Sequence, residues 1–192
     1  MINRKIHIAI FASGTGSNAV KIIDFFKEQK NISFSVLSNK KDAPVLEKAQ
    51  SLGVETLTFT KDEFFNQEEV LNYLKSKQTN LIVLAGFLWL VPSNIIQSFP
   101  NRIINIHPAL LPKFGGKGMY GMKVHQAVVE AKEKETGITI HYVDEQYDHG
   151  TVIVQEKFNV AEKDTPEDVA NKIHQLEHYH YPRVVEAIIN MM

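Results

Sequence analysis

The stretch from Asn105 to Gly116, NIHPALLPKFGG, gathers residue types that can do chemistry. It follows Arg102-Ile103-Ile104, whose apolar pair predicts a short buried strand, so Asn105 and His107 fall at or just past a strand's C-terminal end. In open α/β sheets that edge collects loops and helix N-termini, and ligands bind there. Two apart in an extended segment, Asn105 and His107 point the same way. An uncharged amide donor beside a titratable imidazole suits a carbonyl that becomes an oxyanion when attacked. Pro108 and Pro112 fix φ and stiffen the exit. The same pair also fits a plain strand end whose Asn and His bond only to the adjoining loop, so the rest of the chain has to decide.

Four other patterns bear on that decision. Gly14-Thr15-Gly16-Ser17-Asn18-Ala19 fits G-x-G-x-x-[G/A], the turn that carries dinucleotides. A dinucleotide site wants an acid after the second strand to hold the ribose, and Ser38-Asn39-Lys40-Lys41 stands there instead. An NADP site with Lys40 and Lys41 on the 2′-phosphate stays open. So does a single phosphate monoester held by the Gly16 and Ser17 N–H groups with the Ser17 and Asn18 side chains, at a helix N-terminus. Gly115-Gly116-Lys117-Gly118 lacks the Ser or Thr and the preceding strand of a P-loop; four glycines by Gly121 predict a mobile loop or lid. His174-Gln175-Leu176-Glu177-His178 matches a zinc-protease pattern but has no room downstream for a third ligand, so it is read as an amphipathic surface helix and no metal is expected. Asp144 to Gly150 is a turn dense in acids; one carboxylate there can face Asn105 and His107 and favour a charged imidazole.

These patterns need a frame. Lys5–Phe11, Ser33–Ser38, Glu55–Phe59, Leu81–Ala85 and Ile103–His107 read as strands. Between them, helical spacing appears from Ser17 or Asn18 as cap through Phe26, in Pro44–Leu52, in Asn66–Ser76 and in Pro92–Ser98. This alternation predicts an α/β fold, a doubly wound and mostly parallel sheet with a nucleotide-binding-type first half. After a helix around Val124–Ala131 come two strands, Ile138–Val143 and Val152–Val160, an antiparallel C-terminal pair. Thr165 caps a last helix with Pro166 at its first position, bent near Pro182.

Composition narrows the classes further. The 192 residues predict one domain, and 44% hydrophobic content supplies a core. Lys+Arg 21 against Asp+Glu 22 leaves no basic face for nucleic acid. No apolar run approaches the ~18 residues of a membrane span, and the start (Asn3, Arg4, Lys5, then a strand) has no signal-peptide core. With Cys 0, thiolate and disulfide chemistry drop out, which fits the cytoplasm.

Taken together, GTGSN (Gly14–Asn18), LAGF (Leu84–Phe87), NIHPALLP (Asn105–Pro112), Asp148-His149-Gly150 and LEH (Leu176–His178) resemble the folate-dependent phosphoribosylglycinamide formyltransferase family of purine synthesis, over nearly the whole chain. The resemblance implies a single formyltransferase domain, 1–192, that moves the formyl group of 10-formyltetrahydrofolate, a co-substrate, to the amine of 5′-phosphoribosylglycinamide without a metal. It implies a catalytic trio of Asn105, His107 and Asp148. Gly16, Ser17 and Asn18 take the phosphate, and Glu177 the ribose. Leu88, Trp89, Leu90 and Val91, with Asn105 and the turn residues Asp144, Glu145, Gln146 and Tyr147, hold the folate. The partners are small molecules, and the protein is a monomer or homodimer. Two positions depart from the family: Trp89 stands where an Arg is frequent, and Lys61 is the only base near Glu63, where a folate-contacting Arg is frequent. The longer GGKGMYG loop resembles one sub-branch. NIHP-type motifs also occur in formyltransferases acting on other amines and in formyltetrahydrofolate deformylase, and the GTGSN loop is what favours a phosphorylated substrate. An NADP-dependent oxidoreductase, or a binding module without catalysis, leaves Asn105 and His107 unexplained.

Overall fold

A computed structural model describes residues 4–192; Asn3, named above before the first strand, lies outside them. The elements run β1 (Ile6–Phe11), α1 (Ser17–Phe25), β2 (Ile32–Ser38), α2 (Pro44–Ser51), β3 (Glu55–Thr58), α3 (Lys61–Phe65), α4 (Glu69–Ser76), β4 (Leu81–Leu84), α5 (Ser93–Ser98), β5 (Ile103–His107), α6 (Met122–Glu130), β6 (Glu135–Tyr142), β7 (Val152–Asn159) and α7 (Pro166–Asn190). One seven-stranded sheet takes them in the order β3-β2-β1-β4-β5-β6-β7. The first five strands are parallel, while β6 runs antiparallel to both β5 and β7. The order reverses between β1 and β4. Their C-terminal ends therefore part into the crevice where such sheets bind ligands.

Both faces of the sheet are covered, which is why its central strands read as continuous apolar runs. On one face Ile8, Ile10, Val36 and Ile104 pack with Ala19 and Ile22 of α1 and Ile173 and Val185 of α7. On the other, Ala9, Phe11, Ile82 and Leu84 meet Phe64 of α3, Leu71 and Leu74 of α4, and Ile95 of α5. Each of these large side chains contributes about 1.5–3 kcal/mol by leaving water. Tyr181, fully buried on α7, donates its hydroxyl proton to the Leu84 carbonyl at 2.9 Å, with the Ile104 carbonyl at 3.3 Å, and so anchors the last helix to the ends of β4 and β5.

The sequence reading needs four corrections. Neither Ser17 nor Asn18 caps α1: the cap is Gly16 in the left-handed region at φ 71°, with no side-chain hydrogen bond. A Cβ at Gly16 would stand 2.1 Å from Cγ2 of Val45, so this glycine also lets α2 pack against the loop. Helix α3 went unread because it is only five residues long, although Thr60 and Glu63 form a reciprocal capping box in front of it. The following helix accordingly starts at Glu69 rather than Asn66. Helix α7 is no surface helix: it continues through Pro182 to Asn190 and buries Ile173, Glu177, Tyr181 and Val185.

Candidate active site

A cleft of about 640 Å³ opens at the β1/β4 switch point. The Gly14–Asn18 loop, Leu88–Val91, Asn105, His107 and Asp148 all line it, on the loops and strand ends of the neighbouring strands β1, β4 and β5 and the β6–β7 turn. Ser13 ties the rim together. Its hydroxyl donates to Asn39 Oδ1 at 2.7 Å and accepts from the Leu88 N–H at 3.2 Å, while its own N–H donates to the Gly86 carbonyl.

Asp148 reaches the strand pair from the β6–β7 turn. Its backbone is left-handed at φ 52°, a conformation that aspartate tolerates better than most residues. Burial works to raise its carboxyl. Contacts with His107 and His141, the His107 charge and the Gly116 N–H at 2.9 Å outweigh burial and hold it well below the usual carboxylate range. His107 Nδ1 lies 3.4 Å from Asp148 Oδ2, and its Nε2 donates to the Phe114 carbonyl at 2.8 Å. A carbonyl only accepts, so Nε2 carries a proton, and Nδ1 faces the Asp148 carboxylate.

His141 completes the cluster, and the sequence reading missed it. It sits opposite Asn105 in the β5–β6 register, beside the irregularity in the β6–β7 ladder. Its Nδ1 donates to the Tyr142 carbonyl at 2.7 Å, which leaves Nε2 to accept from Asn105 Nδ2 at 3.2 Å. Asn105 Nδ2 also donates to Asp148 Oδ1 at 3.4 Å. Both amide protons are therefore held by the protein, and a substrate oxygen at this site competes with His141 and Asp148 for them. The signal was available: pairing Ile103–His107 antiparallel with Ile138–Val143 sets a histidine across from Asn105.

The remaining expected residues divide by place. Gly16, Ser17, Asn18 and Glu177 all line the cleft. Asn18 and Glu177, 159 residues apart, join through Asn18 Nδ2 donating to Glu177 Oε2 at 3.0 Å, and Asn18 Oδ1 is buried with no partner among the described residues. Burial pushes the Glu177 carboxyl up to about 7, against the Asn18 hydrogen bond and the His107 charge. Leu88, Trp89, Leu90, Val91, Gln146 and Tyr147 also line the cleft, whereas Asp144 and Glu145 lie outside the lining. Asp144 instead accepts from the Gln146 N–H at 2.9 Å and pairs with His149 at 2.7 Å. The Leu90 N–H donates to the Tyr147 hydroxyl at 3.1 Å, a bond that ties the turn to the 88–91 segment. Trp89 packs against Phe59, Phe64, Phe65 and Phe87. The unread helix α3 thus supplies two of the four partners, Phe64 and Phe65, of the residue that departs from the family pattern. Lys40 lines the cleft; Lys41 does not.

The formyl transferase family profile matches residues 6–185. A chloroplastic phosphoribosylglycinamide formyltransferase of Arabidopsis thaliana is 42% identical over 96% of this chain and 66% of its own length. The phosphoribosylglycinamide formyltransferase of Bacillus subtilis is 35% identical over 95% of this chain and 94% of its own. The chain spans about two thirds of the length of the plant relative and nearly all of the bacterial one. Among solved structures, the phosphoribosylglycinamide formyltransferase of Anaplasma phagocytophilum superposes with a TM-score of 0.86 at 31% identity, covering 96% of this chain and 87% of that one. The Streptococcus pneumoniae enzyme of the same name gives 0.83 at 35%, covering 97% and 99%. With a matching profile across the sheet and the cleft, and relatives this similar over nearly its whole length, the chain belongs to the formyl transferase family.

Proposed function

We propose that this chain transfers the formyl group of 10-formyltetrahydrofolate to the amine of 5′-phosphoribosylglycinamide, a step of purine biosynthesis. The observation that carries this is the convergence of Asp148 on His107 and Asn105 in a cleft that also holds the Gly16 turn. The names of the relatives from Arabidopsis thaliana and Bacillus subtilis support the same substrate.

In this reading the phosphate lies on the N–H groups of Gly16 and Ser17 at the start of α1, and Glu177 accepts from the ribose hydroxyls. The pterin lies along Leu88–Val91, with Gln146 and Tyr147 facing it. The neutral amine attacks the formyl carbon. As the carbonyl oxygen gains charge, the His107 Nε2 proton leaves the Phe114 carbonyl for it, and Asn105 Nδ2 turns to it from Asp148. Each such donor is worth roughly 2.7–4 kcal/mol in an oxyanion site. Asp148 keeps the imidazole charged and helps carry the amine's proton to the leaving nitrogen through water. His141 holds the Asn105 amide in place. The step needs neither a metal nor a covalent enzyme adduct. One folded domain spanning the chain, acting as a monomer or homodimer in the cytoplasm, fits this chemistry and the lack of cysteine.

Incubation with 10-formyltetrahydrofolate tests the proposal through tetrahydrofolate release, measured with and without the ribotide. Release that depends on the ribotide is expected. Equal release in its absence indicates a hydrolase, and no release with the ribotide overturns the assignment.

A further inference from the structure

His125 has no role in the chemistry above. It lies on α6, immediately after the glycine-rich loop, and is 3% exposed, yet it lines the cleft. Its Nδ1 is buried and has no hydrogen-bond partner among the described residues. A buried donor without an acceptor is costly, so the ring proton belongs on Nε2, which is not sealed in this way and makes no hydrogen bond to the protein among the described residues. A phenylalanine would fill this place without leaving a polar atom unpaired. The imidazole instead holds one N–H in reserve at the cleft wall.

The neighbourhood indicates what that N–H meets. Burial, and then the charges of His174 and His107, lower the ring to about 4, so it stays a neutral donor through the physiological range. His174 lies on α7 one turn before Glu177, at the ribose end, and His107 belongs to the reacting centre. His125 is therefore within electrostatic reach of both ends of a ligand that spans them. Phosphate, a dianion, is matched by backbone N–H groups at a helix start, and ribose hydroxyls by a carboxylate. A neutral donor matches a neutral acceptor, and an amide carbonyl is the neutral acceptor in the glycinamide arm that joins ribose to amine.

We propose that His125 reads the glycinamide arm, its Nε2–H donating to the amide carbonyl of the bound ribotide; this rests on the substrate proposed above. The hydrogen bond would fix the arm so that its terminal amine faces the formyl carbon, which makes His125 a specificity residue.

The test compares two ligands that share the phosphate and ribose and differ in the arm: glycinamide ribotide and ribose 5-phosphate. His125→Phe keeps the ring volume and removes the donor. It should weaken glycinamide ribotide roughly tenfold, the size of one hydrogen bond of about 1.4 kcal/mol, and leave ribose 5-phosphate unchanged in equilibrium titrations. Equal weakening of both ligands, or weakening of neither, overturns the inference while leaving the reaction assignment standing. If the wild type binds neither ligand, the reaction assignment fails and this inference fails with it. Where His125→Phe does not fold, His125→Gln serves to assign the His125 imidazole nitrogen resonances in the wild type. Those resonances should move with glycinamide ribotide and stay in place with ribose 5-phosphate. Movement with both, or with neither, again overturns the inference.

Discussion

At the scale of single residues, Asp148 links every polar group of the reacting centre. Its carboxylate accepts from Asn105, His107 and the Gly116 N–H, and its left-handed backbone is one that asparagine also adopts readily. Asp148→Asn therefore keeps the turn and removes the charge. In steady-state kinetics kcat should fall on the order of 10²–10³-fold, with the KM of both substrates changed less than threefold. The pair His107→Ala with Asp148→Asn should lose far less than the product of the single losses, because the two act as a unit. Multiplicative losses would show independent roles. Glu177 makes a prediction of a different kind. Its carboxyl is raised in the folded protein to about 7, so the protonated form is the one folding favours. That stabilisation is complete below the unfolded carboxylate range and is lost as pH rises through about 7. In the free protein, Glu177→Gln should be more stable than wild type at pH 8, by roughly 2–3 kcal/mol in denaturant unfolding, and about equal at pH 4.5. Ribotide affinity should move the opposite way: the wild type should tighten as pH rises through about 7, and the glutamine variant should show a flat profile. A flat profile in both would remove the ionised carboxylate from the ribose site.

At the scale of elements, the site depends on contacts the local sequence only partly announces. The GTGSN loop was legible as a glycine turn at a helix start, but the requirement for Gly16 has a second cause in Val45, 29 positions along the chain, whose side chain fills the space a Cβ would need. Val45 also donates its N–H to the Gly14 carbonyl, so α2 braces the loop from behind. Gly16→Ala should therefore destabilise the fold by about 2–4 kcal/mol, from positive φ and overpacking together, measured as a drop in the unfolding midpoint. A pure rise in ribotide KM at unchanged stability would mean the loop opens without disturbing α2. Helix α3 shows the reverse case. Its capping box is written in Thr60 and Glu63, but five residues carry too little periodicity to show a helix. What it supplies, Phe64 and Phe65 against Trp89, depends on a partner more than twenty residues away. His141 was hidden for a similar reason. A histidine in a β-strand carries no local mark of function, and only the β5–β6 register sets it across from Asn105.

At the scale of the whole molecule, strand and helix periods carried the parallel half, since its central strands β1, β4 and β5 are buried on both faces and read as apolar runs. The strand order, with its reversal between β1 and β4, lies in non-local pairing that no window of sequence displays. The consequence is that residues from both ends of the chain meet in one cleft: Asn18 in α1 bonds Glu177 in α7, and α1 packs along α7. A ribotide bound to Gly16, Ser17, Asn18 and Glu177 therefore bridges the first and last helices, and its binding energy should appear as global stability. At a free concentration 100 times its Kd the gain is about 2.7 kcal/mol. For a chain of this size that corresponds to a rise of roughly 5–10 °C in Tm. NADPH at the same concentration should give no comparable shift, because Lys41 lies outside the cleft lining and Asn39 is occupied by the Ser13 hydroxyl. Glu177→Gln should shrink the ribotide shift at fixed ligand concentration, while a folate analogue, seated along Leu88–Val91, should stabilise both proteins alike. An NADPH shift equal to that of the ribotide would reassign the Gly14–Asn18 turn to a dinucleotide. Loss of the folate shift in the Glu177 variant would mean that the ribotide and the folate are not held by separate groups of residues.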